Sequence, residues 1–168
     1  MLLGMTAVSR CVGAGEVPVA VRALGTLGEP DYIDLFTAMT PSATDRTAEA
    51  WARLILEQAP VAGDHARRFW RLLGLRLGPP GSPDHVQGWR IAARDQRWIR
   101  LETGSWYMHA QAVCLVEDGR VSLSLSLRYR RPRPVGMLVV ALVAGPHQRA
   151  VPVMLHQAVE LATPAAAA

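Results

Sequence analysis

The stretch Met108-His109-Ala110-Gln111-Ala112-Val113-Cys114-Leu115-Val116-Glu117-Asp118-Gly119-Arg120-Val121-Ser122-Leu123-Ser124-Leu125-Ser126-Leu127-Arg128-Tyr129 joins two alternating runs at an Asp-Gly pair. Asp-Gly favours a two-residue primed turn between antiparallel strands, because both turn residues take positive φ there. If Glu117 faces Arg120 across that turn, Ala112 meets Leu125, Ala110 meets Leu127 and Met108 meets Tyr129. One face of the hairpin is then apolar on both strands. On the second strand Val121, Leu123, Leu125, Leu127 and Tyr129 form an unbroken stripe, while serines and arginines take the alternate positions. Such a stripe must be covered, and the large apolar element left to cover it is the segment 135–161. That segment reads as a long helix, with a kink or break expected near Gly145 and Val151 because of Pro146 and Pro152.

Working back from the hairpin, the sequence predicts strands at 85–93, 98–103 and 106–116, the first two joined by a tight turn at Asp95-Gln96. Two helices precede them. The first is capped at Thr44 or Asp45 and carries Trp51, Leu54 and Ile55 on one stripe. The second is capped at Asp64, carries Ala66, Phe69, Trp70, Leu73 and Leu77, and stops at Gly78-Pro79-Pro80-Gly81. Residues 32–39 alternate loosely and suit a first strand. The reading gives an irregular lead-in at 1–30, with a short strand at 17–23, one domain at 31–162 and a frayed tail at 163–168. The fold class is α+β: a strand, two shorter helices, an antiparallel curved sheet and a long C-terminal helix lying on it.

A length of 168 residues suffices for one core without disulfide staples, and 50% apolar against 19% charged residues describes a folding chain. All 18 basic residues are arginine; lysine and asparagine are absent. Schiff-base chemistry and lysine-dependent phosphate sites are therefore excluded. The net charge of +4 is partly compositional, matching the Arg, Ala, Gly and Pro bias of a GC-rich genome, and argues only weakly for nucleic acid. Cys11 and Cys114 stand apart from any CxxC or CxxH cluster, so neither a zinc site nor a disulfide framework is expected and a reducing cytoplasm is the expected home. The N-terminus is unlike a secretory signal, and the longest apolar run falls short of the ~20 residues that span a bilayer. No GxSxG, HExxH, GxGxxG or Walker loop occurs, so hydrolase, metalloprotease, dehydrogenase and NTPase readings lose their support. No cofactor is expected.

The hairpin also suggests a binding site. Trp106, Met108, Ala110, Ala112, Cys114 and Val116 share one face, and the two alanines leave room between larger neighbours. Either a ligand fills that gap or Leu138, Leu142 or Met154 of the terminal helix does. Counting back from Trp106 places Glu102, Arg100 and Trp98 on the same face. An inward Glu102 is a general acid or base, or is held in an ion pair with Arg100 or Arg90, unless a bulge at Gly104 turns it to water. Tyr129 ends the stripe with a phenol that bonds a ligand or reaches the rim. His109 falls on the polar face, and His65, His85, His147 and His156 have no metal-ligand spacing. The arginines 128, 130, 131 and 133 precede a helix start, where they are solvated or are offset by a bound anion.

The order of elements resembles the helix-grip fold of the SRPBCC (START and birch-pollen-allergen) superfamily. Asp84-His85-Val86-Gln87-Gly88-Trp89-Arg90, Arg100-Leu101-Glu102-Thr103-Gly104-Ser105-Trp106, and Arg128-Tyr129-Arg130-Arg131-Pro132 through Gly145-Pro146-His147 resemble an uncharacterised bacterial family of that superfamily. The resemblance covers roughly 32–160 and implies a ligand cavity between sheet and helix, without naming a reaction. It implies a polyketide cyclase-like enzyme of secondary metabolism (cyclisation, dehydration or isomerisation), or a non-catalytic carrier or sensor of an apolar metabolite. An interaction protein with a filled core is the third reading. On the first of these, Glu102 and Tyr129 are the acid/base candidates and Trp89, Trp106, Met108, Ala110, Ala112, Cys114, Leu125, Leu127 and Leu142 shape the pocket. The expected partner is a small apolar organic ligand, with no nucleic acid and no membrane span; a homodimer is compatible with all three readings.

Overall fold

The computed structural model describes residues 7–163, so all but Thr163 of the expected tail and the first six residues of the lead-in lie outside the described residues. Seven antiparallel strands form one open, curved sheet in the order β1-β2-β7-β6-β5-β4-β3. They are β1 (Val8–Val12), β2 (Tyr32–Met39), β3 (His85–Val86), β4 (Trp89–Arg94), β5 (Trp98–Gly104), β6 (Met108–Glu117) and β7 (Arg120–Tyr129). The two-residue Asp-Gly turn gives the expected register, with Ala112 opposite Leu125, Ala110 opposite Leu127 and Met108 opposite Tyr129, but Asp118 is not left-handed, so the turn is not of the expected primed type. Gly119 takes a φ of 77° in that turn.

Four helices accompany the sheet: α1 (Val19–Arg22), α2 (Ala48–Arg53), α3 (Gly63–Leu72) and α4 (Arg133–Ala162). The N-cap of α2 is Thr47, whose hydroxyl accepts from the Ala50 amide at 3.2 Å, rather than the expected Thr44 or Asp45. It continues as a π-helical turn over Leu54–Gln58. Trp51, Leu54 and Ile55 are buried together, and the Trp51 indole donates to the Ala43 carbonyl at 2.7 Å.

The lead-in is more regular than its composition suggests. β1 pairs along β2, and residues 19–22 are a helical turn rather than part of a strand. Val17 and Val21 close over Ile33 and Leu35 on the face of the sheet away from α4, forming a small second core. Ser122 and Ser124 on that face are consequently buried and hydrogen-bonded, to Thr37 at 2.8 Å and to the Asp34 carbonyl at 2.6 Å. The expected strand 85–93 is divided by a turn in which Gln87 (φ 50°) and Gly88 (φ 90°) are left-handed.

The terminal helix is continuous over 30 residues with Pro146 and Pro152 inside it, so of the kink or break expected near Gly145 the break does not occur. A mid-helix proline costs about 3 kcal/mol. Against two such costs stand the buried Val140, Val151, Met154, Leu155 and Val159, each contributing roughly 1.5–3 kcal/mol by covering the sheet. Packing wins over local propensity. By length and composition α4 is apolar enough to cross a membrane, although these side chains are turned onto the sheet.

Candidate functional site

Between the sheet and α4 lies a hollow of about 350 Å³. Its floor is Met108, Ala110 and Ala112 of β6 with Leu123, Leu125 and Leu127 of β7; its roof is Val140, Val143, Ala144, Ala150, Val151 and Met154 of α4. The paired alanines are what keep it open, since each faces a leucine across the strand pair and no roof side chain fills the gap. Val61, Phe69, Leu73 and the Trp70–Trp89 pair line one side. The two indoles meet edge to face with centroids 5.4 Å apart. Trp89 is 4% exposed and its Nε1 is buried without a hydrogen-bond partner among the described residues. A buried N–H donor without an acceptor is costly, and here that cost is borne inside the packing around the indole.

Polar chemistry reaches the hollow mainly from the β2 side. Asp34 is fully buried. One carboxylate oxygen accepts from the Tyr32 hydroxyl at 2.6 Å and stands 2.9 Å from His147 Nε2; the other accepts from the Leu125 amide at 3.2 Å. Three partners satisfy a carboxylate that would otherwise be untenable there. The Tyr32 hydroxyl in turn accepts from the Gln148 side chain at 3.2 Å. Burial and then the adjacent Asp34 push the Tyr32 phenol well above its ordinary range, so it remains a protonated donor. His147 follows Pro146 on α4, lines the hollow with Asp34 and Tyr32, and rests its ring edge on Phe36 with centroids 6.0 Å apart. Because Asp34 requires a proton on Nε2, a neutral ring leaves its lone pair on Nδ1.

Of the side chains singled out from sequence, Trp89, Met108, Ala110, Ala112, Leu125 and Leu127 line the hollow. The other five do not. Glu102 lies on the opposite face. Trp106 belongs to the turn after β5, which reverses the chain and resets the alternation, so Ile99 and Leu101 face the main core, where α2 covers β5, while Glu102 pairs with Gln111 on the outer side. There Glu102 bonds Arg90 at 2.7 Å, Arg100 at 3.2 Å and Gln111 at 2.9 Å. It borders a separate, polar groove with Arg76, His109 and Arg130. Trp106 is 59% exposed and touches the Tyr107 ring. Cys114 faces inward but is packed in the core beyond Ala112, and burial pushes its thiol up to about 12. Leu142 is 67% exposed on the outer side of α4; neighbouring Val143 and Ala144 turn toward the hollow instead. Tyr129 lies beneath the start of α4, with its ring against Gly136 and under the Arg133 guanidinium at 5.7 Å. The arginine cluster has an internal anion: Arg133 pairs with Asp31.

Sequence reasoning passed over Asp34 and His147. An acid at the same parity as Phe36 and Ala38 in an otherwise apolar strand was the available signal, since aspartate is depleted in strands. Nothing in the spacing of His147 announces a partner 113 residues away.

No protein-family model matches this chain, and no curated protein or solved structure matches it.

Proposed function

We propose that this protein binds a small, mostly apolar organic molecule between its sheet and α4, as a helix-grip protein of the SRPBCC kind. One observation carries the reading: an apolar hollow of about 350 Å³ lies between sheet and α4, with the small side chains of Ala110 and Ala112 in its floor and the Trp70–Trp89 pair at its side. That volume falls within the roughly 300–1,000 Å³ of small-molecule sites, and an apolar wall with few polar groups is their usual construction. A cyclisation, dehydration or isomerisation of a polyketide-like ligand is compatible with such a site, because those reactions depend on orientation and one acid or base. The test is titration with 1-anilinonaphthalene-8-sulfonate, alongside native mass spectrometry for a co-purifying metabolite. Saturable one-to-one binding, weakened at least tenfold in a folded Ala112→Leu variant, is expected. Absence of saturable binding to the wild type, or binding indifferent to Ala112→Leu, overturns the reading.

A further inference from the structure

We propose that His147, held by Asp34, is a general base that removes a proton from a ligand in this hollow, and that the ligand is a self-stabilising carbon acid of the 1,3-dicarbonyl type. The inference rests on the binding reading above and extends it to chemistry. Asp34 has no solvent contact, and its carboxylate fixes the ring through Nε2 at 2.9 Å. Among the described residues Nδ1 has no hydrogen-bond partner, and the ring lines the hollow. An imidazole oriented by a buried carboxylate, with its free nitrogen as base, is the arrangement needed to accept a proton and stabilise the resulting imidazolium. Tyr32 cannot take that part, because its raised phenol stays protonated and donates to Asp34. Asp34 is a positioning residue.

The surroundings restrict the substrate. Beside His147 the hollow is lined by Phe36, Leu125, Val143 and Ala144, and the Tyr32 hydroxyl is already engaged with Asp34. With no free donor shown there for an oxyanion, the charge left after proton removal must be delocalised by the ligand itself. A C–H between two carbonyls meets that condition. The C–H electron pair becomes the enolate, His147 Nδ1 holds the proton, and the imidazolium returns it to another atom of the same molecule. The net change is an isomerisation that needs no oxidant or reductant. Asp34 is on β2 and Trp89 on β4, with β7, β6 and β5 between them, about 19 Å along the curved sheet at the usual strand spacing. Trp89 therefore lines the far end of the hollow, and a substrate with its acidic carbon at His147 lays its remaining apolar length toward that end.

The probe is 5-nitrobenzisoxazole, a compact apolar carbon acid. A base takes its C3 proton, the electron pair forms the nitrile, and the N–O bond breaks to give a coloured cyanonitrophenolate. Wild type, His147→Gln and Asp34→Asn are compared for this elimination and, in the same preparations, for anilinonaphthalenesulfonate binding. Glutamine can still donate to Asp34, so His147→Gln keeps the fold. The expected result is a rate about a hundredfold above the same concentration of free imidazole. It should fall to background in His147→Gln, with the variant shown to be folded by circular dichroism and by its urea midpoint. Asp34→Asn should lower the rate and switch the ring tautomer, read from the imidazole ¹⁵N shifts. Dye binding with elimination no faster than free imidazole, or unchanged in His147→Gln, overturns the base and leaves the binding site standing. Failure of both assays overturns the two together.

Discussion

Gly136 and Tyr129 meet so closely that a β-carbon at Gly136 would lie 2.7 Å from Cδ1 of the Tyr129 ring. This contact seats the first turn of α4 on the end of β7, and so sets the height of the roof above the hollow.

Gly136→Ala should destabilise the protein. Alanine gains about 1 kcal/mol of helix propensity, but overpacking against a ring held by the sheet costs about 1–3 kcal/mol. We expect a net loss on urea unfolding. In a Tyr129→Ala background, where the obstructing ring is gone, the same change should be neutral or stabilising. Equal losses in the two backgrounds would show that the contact does not set the helix position.

Glu102→Gln tests where the acid acts. Because Glu102 bonds Arg90, Arg100 and Gln111 on the outer face, losing its charge should cost on the order of 1 kcal/mol in chemical denaturation and leave dye affinity in the hollow unchanged. A tenfold change in dye affinity with intact stability would place its influence inside the hollow instead.

How far the sequence could be read depended on whether local chemistry or distant packing decided each element. Asp118-Gly119 marks a two-residue turn, and the alternation from Val121 to Tyr129 can satisfy only one face, so the hairpin register and five lining residues on it, Met108, Ala110, Ala112, Leu125 and Leu127, were legible. The ion pair of Glu102 with Arg90 and Arg100 was legible too, but not the face it lies on, because a side-chain count continued through Trp106 takes no account of a turn that reverses the chain. Of the kink or break expected near Gly145, a break is prevented by the burial of α4 on the sheet, which propensity does not contain. Asp34 and His147 come together only because β2 and α4 pack, and the small core under Ile33 and Leu35 likewise arises from the lead-in folding back.

The two cysteines should differ sharply in reactivity. Burial holds the Cys114 thiol up to about 12, whereas Cys11 on the edge strand β1 is only half-buried. The thiolate is the reactive species, so at pH 8 a disulfide reagent such as Ellman's should titrate one thiol in the native protein and two in guanidinium. Rapid native labelling of both would mean that the core around Cys114 opens readily.

Asp31 should contribute an acid-sensitive part of the stability. Burial works against its charged form, but the Tyr129 amide at 2.7 Å and the Arg133 guanidinium outweigh burial and hold the carboxyl below its ordinary value. A carboxylate with a lowered folded pKa stabilises the native state above its unfolded value. That contribution declines from about pH 5 downward and is gone below the folded pKa. Asp31→Asn should therefore lower stability at pH 7 by on the order of 1 kcal/mol and lower it progressively less in acid, so that the wild-type and variant urea midpoints converge toward pH 2–3. The loss should be felt where Arg133 opens α4, since a cation beside a helix N-terminus is unfavourable without its anion. Midpoints separated by the same amount at pH 3 and pH 7 would show that Asp31 stabilises the fold without its charge.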